Sequence, residues 1–163
     1  MNKKERQDIL KRVISDNIIE NQANLIRHLE DANVHTTQST ISRDMRELNI
    51  IKSHGQDGIS YYKILTTSSD ELKDATQLTD EERLKKLVSE VGVSLTQIEF
   101  TNVLNVLPGN GQLMGVLIDN VRQTFKEMVG CIAGDDTILI LSQSKDEATE
   151  VYEYFDQFMI NQR

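Results

Sequence analysis

The chain has 163 residues, of which 38% are hydrophobic and 27% charged, with a formal net charge of −8. That length holds one ordinary domain or two small ones, and the composition suits a globular chain rather than a disordered one. It excludes a membrane-spanning helix, since no apolar run approaches the required ~20 residues, and a secretory leader, since no apolar stretch follows the basic start MNKKERQDIL.

Ile9, Leu10, Val13, Ile14 and Ile18 recur at helical spacing and predict an amphipathic helix over 5–17. A second helix is predicted over 22–31, capped by Asn21 and carrying Leu25, Ile26 and Leu29 on one face. Ala32-Asn33-Val34-His35 breaks the pattern. A third helix follows over 38–48, with Thr37 as cap and Ile41, Met45 and Leu48 as its buried stripe. Two extended runs, 50–54 and 59–65, flank Gly55-Gln56-Asp57-Gly58 and predict a hairpin. Three short helices and a hairpin make a winged helix-turn-helix, in which the third helix can enter the major groove of DNA.

The polar stretch 66–78, TTSSDELKDATQL, reads as a linker. Beyond it a helix is predicted over 80–91, one long strand over 96–107 ending at Pro108-Gly109, and a helix over 112–126. Strands over 128–133 and 137–143 surround Gly134-Asp135-Asp136, and a last helix spans 145–159. This order predicts a second, α/β domain over 79–163, with helices layered on a small antiparallel sheet, behind a first domain over 1–65.

Charge divides along the same line. Residues 1–63 hold ten Lys/Arg against nine Asp/Glu, and the remainder eight against 17. Five basic residues, Lys3, Lys4, Arg6, Lys11 and Arg12, fall within the first twelve. The front half is therefore the one suited to approach phosphates, although a net of +1 is modest for such a domain. The single cysteine, Cys131, has no partner for an internal disulfide and no Cys or His at metal-ligand spacing, which points to a reducing cytoplasm.

On the third helix, Gln38, Ser39, Ser42, Arg43 and Arg46 share the surface turned away from Ile41, Met45 and Leu48. These side chains suit base-edge readout: Arg is bidentate to guanine, Gln to adenine, and Ser serves either base or phosphate. An ordinary solvated helix face has the same composition; the hairpin that follows favours DNA. In the rear half, Ala133-Gly134-Asp135-Asp136-Thr137 joins two apolar strands. Turn chemistry accounts for one aspartate there. Two adjacent carboxylates repel unless a donor or cation lies between them. A divalent metal, a Lys/Arg partner or a cationic ligand each meets that need, and a metal would want further converging oxygens, such as Asp119.

Three blocks resemble those of bacterial arginine repressors. TTQSTISRDMRELNIIK is similar to the family's TQATVSRDIKEL signature, and LPGNGQLMGVLIDN and VGCIAGDDTILIL resemble the two characteristic blocks of its C-terminal domain. The resemblance implies an L-arginine-responsive repressor that binds paired operator half-sites in double-stranded DNA, with L-arginine as co-repressor and no other cofactor or metal. It assigns DNA contacts to Gln38, Ser42 and Arg43, with Ser39 at a position usually filled by alanine. It assigns the ligand's guanidinium to Asp135 and Asp136, further ligand contacts to Gln112 and Asp119, and backbone and shape to Ala133. It also implies a homo-hexamer of two stacked trimers, with DNA affinity gained by holding several weak domains together. Two positions depart from the family. Cys131 stands where threonine, a residue able to touch the ligand, is common, and Gly111 stands where alanine is usual. Losing a hydroxyl at Cys131 would weaken the ligand by about one hydrogen bond, ~1 kcal/mol.

Two other readings remain beside this one. A specialised paralogue would regulate arginine catabolism, alone or beside a second regulator, with a weak arginine response; Cys131 favours it. An enzyme would use Asp119, Asp135 and Asp136 as a metal or acid–base cluster. Against it, His28, His35 and His54 all lie in the front half, so no nucleophile–base pair accompanies the carboxylates. The expectation is that the chain is not an enzyme.

Overall fold

A computed structural model describes residues 1–55, 58–65 and 78–159. The tip of the predicted wing, 56–57, and nearly all of the predicted linker lie outside them. The chain forms two compact units, Met1–Leu65 and Thr66–Arg163.

In the front unit, α1 (Lys3–Asp16) starts at a capping box. Asn2 accepts the Glu5 amide, and the Glu5 carboxylate accepts the Asn2 amide in return. Asn21 caps α2 (Gln22–Asp31) and Thr37 caps α3 (Gln38–Glu47), each by accepting a backbone N–H three residues on. Strands β1 (Ile50–His54) and β2 (Ser60–Ile64) pair antiparallel, Ile50 opposite Ile64 and His54 opposite Ser60. Leu10, Val13, Ile14, Ile19, Leu25, Leu29, Val34, Ile41 and Ile50 form one buried core. The stripe of the first helix is corrected at its end. The helix stops at Asp16, so Ile18 points to solvent at 76% exposure while Ile19 is buried, and the Ile19 carbonyl accepts the Tyr62 amide of β2.

The rear unit begins with α4 (Asp80–Val91), whose Thr79 and Glu82 again form a capping box. The single long strand expected over 96–107 is a hairpin instead. Strand β3 (Gly92–Ile98) turns at Glu99-Phe100 into β4 (Thr101–Val106), with Ile98 opposite Thr101. Glu99 takes the left-handed conformation, φ 51°, that a tight turn usually gives to Gly or Asn. With Glu99 and Phe100 at the turn and neither Gly nor Asn there, the turn gave no signal. Helix α5 (Gly111–Val121) is shorter than expected, and β5 (Gly130–Ala133), β6 (Thr137–Leu141) and α6 (Lys145–Asp156) complete the unit. The segment after α5 turns so that Phe125 meets Tyr154 of α6, with ring centroids 5.0 Å apart.

The sheet is antiparallel throughout, in the order β3-β4-β6-β5. Register fixes its two faces. Asn102, Leu104, Ile138 and Ile140 look to one side, where Asn102 donates to the Ala148 carbonyl of α6 and Ala133 lies against Gly115 of α5. The helices α5 and α6 therefore cover this face. Ile98, Val103, Ile132, Leu139 and Leu141 fall on the opposite face, with Ile98 59%, Ile132 65% and Leu139 37% exposed.

Candidate functional site

Helix α3 is held from behind by charge. Asp44 is buried on its inner side, and Arg6 of α1 reaches it with Nε at 2.6 Å and Nη2 at 3.3 Å. Gln7 donates to Asp44 at 3.1 Å and to Glu47 at 2.7 Å, while Lys3 pairs with Glu47 at 2.7 Å. Hydrogen bonding to Asp44 raises the Arg6 pKa, and hydrogen bonds from Lys3 and Gln7 lower that of Glu47. A bidentate guanidinium–carboxylate pair fixes angle as well as distance, so α1 sets the pitch of α3.

The outer side of α3 presents the predicted reading residues. Gln38, Ser39, Arg43 and Arg46 are exposed and Ser42 is half-buried. The Gln38 amide donates to Gln22 Oε1 at 2.8 Å, and Gln22 donates in turn to Ser42 Oγ at 3.2 Å. Ser39 Oγ lies 3.0 Å from the capping hydroxyl of Thr37, and Arg46 Nε donates to the Ser42 carbonyl at 3.4 Å. Gln22 is therefore part of this surface, and sequence reasoning missed it. It belongs to another helix, and only the packing of α2 against α3 brings it between Gln38 and Ser42. Its place just after the Asn21 cap, where a helix begins and side chains project forward, was the one available signal.

In the rear unit the predicted ligand residues gather along the seam between α5 and β5 and on the turn beyond it. Gln112, Val116 and Asp119 are exposed on one side of α5, and seven residues along a helix put Asp119 about 10 Å beyond Gln112. Gln112 donates to the Ala133 carbonyl at 3.0 Å. The Ala133 methyl lies where a Cβ on Gly115 would come within 2.7 Å, so a glycine there lets strand and helix close. At the far end Asp119 accepts Arg122 Nε at 2.9 Å, and the Cys131 thiol lies 3.9 Å from the same oxygen. Burial, with Asp119 beside it, pushes the Cys131 pKa up to about 11, so the thiol stays protonated at neutral pH and is a poor nucleophile.

The turn itself is anchored by backbone. The Asp135 carbonyl accepts from Gly109 N–H at 3.1 Å and Gly111 N–H at 2.9 Å, and the Asp135 carboxylate accepts from Gly109 N–H at 3.2 Å. A Cβ on Gly111 would overlap the Gly134 carbonyl oxygen and come within 2.9 Å of the Asp135 carbonyl oxygen. This close approach explains the glycine there. Asp136 accepts the Thr137 hydroxyl at 2.8 Å on Oδ1, and its carbonyl accepts Val106 N–H at 2.8 Å. Among the described residues, each of these two exposed carboxylates has one oxygen held by the protein and one without a hydrogen bond. Carboxylate oxygens left open in this way can accept the N–H donors of a cation. Among the described residues no group of three or more His, Cys, Asp or Glu is placed to hold a metal ion, so Asp119 does not converge with Asp135 and Asp136 into such a site. No described helix is long and apolar enough to cross a membrane.

Comparison with known proteins gives the same division of labour. Residues 1–70 match the model of the arginine repressor DNA-binding domain, and residues 88–157 that of the arginine repressor C-terminal domain. Both models describe a repressor and not an enzyme. The chain is 41% identical over 147 residues to an arginine regulator of Bacillus thuringiensis subsp. konkukian, covering 90% of this chain and 92% of that protein. It is 33% identical over 162 residues to an arginine regulator of Lactiplantibacillus plantarum, with 99% of each chain covered. It is also 33% identical over 159 residues to an arginine repressor of Enterococcus faecalis, covering 98% of this chain and 99% of that one.

Proposed function

This chain belongs to the arginine repressor family, and we propose that it is an L-arginine-responsive transcriptional regulator acting on operator DNA in the cytoplasm. The observation that carries the reading is the paired carboxylate turn, Asp135 and Asp136, each with one oxygen held and the other open. An arginine guanidinium spans two such oxygens with parallel N–H donors, a geometry that an ammonium does not reproduce. Gln112 and Ala133 line the near end of the seam, and Asp119 and Cys131 its far end.

On the DNA side, Gln38, Ser42 and Arg43 are the base-reading residues, with Ser39 and Arg46 flanking them and Gln22 holding Gln38 and Ser42 in register. The front unit has little positive charge to spare, so affinity has to come from several copies held together. The open sheet face with Ile98, Val103, Ile132, Leu139 and Leu141 supports self-association, and the proposed assembly is the homo-hexamer of two trimers. Ligand bound at a carboxylate pair removes charge repulsion between acidic domains and tightens that assembly.

A second reading, the specialised regulator with a weak arginine response that works beside a paralogue, is favoured by Cys131. Its thiol, a weak donor, lies 3.5 Å from the Gly115 carbonyl and 3.9 Å from Asp119, where a hydroxyl would bond more strongly. One experiment separates the two. Full-length protein is titrated onto labelled duplex carrying two half-sites, at fixed salt, with and without millimolar L-arginine. Arginine-tightened binding that disappears in Asp135→Asn supports the arginine-responsive regulator. Specific binding indifferent to arginine supports the specialised paralogue. Absence of specific binding in both conditions overturns both.

A further inference from the structure

We propose that Asn105 is a positioning residue for Asp136, acting through a relay of side chains that crosses the open face of the rear sheet. The inference rests on the reading of Asp136 as a ligand carboxylate. Ser94 of β3 donates its hydroxyl to Asn105 Oδ1 at 3.0 Å, Asn105 Nδ2 donates to Thr137 Oγ1 at 3.1 Å, and Thr137 donates to Asp136 Oδ1 at 2.8 Å. The first two links join neighbouring strands, and the third joins Thr137 to the turn residue just before it. Ser94 and Thr137 are both register partners of Asn105, one on β3 and the other on β6.

The direction of the relay follows from charge. A hydroxyl bonds a carboxylate more strongly than it bonds a neutral amide, so Thr137 donates to Asp136 and offers its lone pairs to Asn105. That in turn obliges Asn105 to present its NH2 to Thr137 and its carbonyl oxygen to Ser94. Every donor therefore points toward Asp136, and each bond polarises the next. Along β4 the residue before it on this face is Val103, while its lateral partners Ser94 and Thr137 are the polar groups to which Asn105 bonds. The consequence of the relay is orientational. With Oδ1 fixed by Thr137 and the Asp136 carbonyl fixed by Val106, the second carboxylate oxygen has one direction in which to meet a ligand. Because the relay lies on the face proposed for self-association, covering that face removes competing water and stiffens the carboxylate.

The test is calorimetric titration of L-arginine into the full-length chain and its variants. Asn105→Ala and Thr137→Val are expected each to raise the half-saturating arginine concentration by about three- to tenfold, the loss of one effective hydrogen bond. The double variant should be no worse than either single one, because the residues act as one unit. Thr137→Ser, which keeps the hydroxyl, should bind close to the original. An unchanged midpoint in Asn105→Ala, multiplying effects in the double variant, or a Thr137→Ser as impaired as Thr137→Val each overturns the relay. Asp136→Asn locates the failure. If it binds arginine normally, the reading of Asp136 as a ligand carboxylate falls and the relay with it. If it loses binding while Asn105→Ala does not, the relay alone falls.

Discussion

The two units treat their carboxylates in opposite ways. Asp44 is buried, with its side chain 3% exposed, and both of its oxygens are taken by Arg6 with Gln7 beside them. Asp135 and Asp136 are exposed, and the protein holds each by one oxygen through a backbone amide or a neighbouring hydroxyl. A carboxylate given a guanidinium from its own chain is a fastener, because removing either partner strands a charge away from water. A carboxylate given only neutral donors keeps its charge for something else. The front unit uses its acid to aim a helix, and in the proposed reading the rear unit keeps its acids for a cation.

The largest expected effect breaks the first half of this contrast. Asp44→Asn leaves the Arg6 guanidinium, 18% exposed, without its counter-charge and should cost about 3 kcal/mol of front-unit stability in urea unfolding. Asp135→Asn, made at an exposed turn of the rear unit, should shift that unit's own urea unfolding by under about 0.5 kcal/mol. Equal losses in the two variants would remove the distinction between fastener and receptor.

A smaller effect sharpens the second half. Cys131→Thr supplies a hydroxyl beside Asp119, and should strengthen arginine binding by about one hydrogen bond, ~1 kcal/mol, in calorimetry. No change would place Cys131 outside the ligand's reach.

The smallest effect concerns pH. The Glu47 pKa is lowered by hydrogen bonds from Lys3 and Gln7, so its folded value lies below its unfolded one. Its contribution is present above the unfolded glutamate value and lost as pH falls through the folded value. Glu47→Gln should flatten the acid limb of the stability curve below the ordinary glutamate range and leave neutral pH nearly unchanged. Because Glu47 is half exposed, the change should also fade with added salt.

Local chemistry made much of this protein legible from its residues alone. Periodicity and the Asn21 cap placed α2 over Gln22–Asp31, periodicity alone placed α4 over Asp80–Val91, and both helices run over those residues. These signals are written within a few residues of where they act, since a cap bonds three positions on and an apolar stripe repeats each turn. The turn at Glu99 was not legible, because a residue without turn preference is held at φ 51° by the pairing of the strands on either side.

The candidate site divides in the same way. The outer face of α3 and the Gly134-Asp135-Asp136 turn follow from sequence, as runs of contiguous residues with a recognisable pattern. Gln22 between Gln38 and Ser42, Arg6 behind Asp44, and Asn105 behind Asp136 do not, because each lies 16 to 38 positions from a partner in the chain. Which residues carry chemistry was decided by type and spacing along the chain. Which way those residues point, and which oxygens they leave open, was decided by tertiary packing, because hydrogen-bond geometry depends on distances that only the folded chain sets.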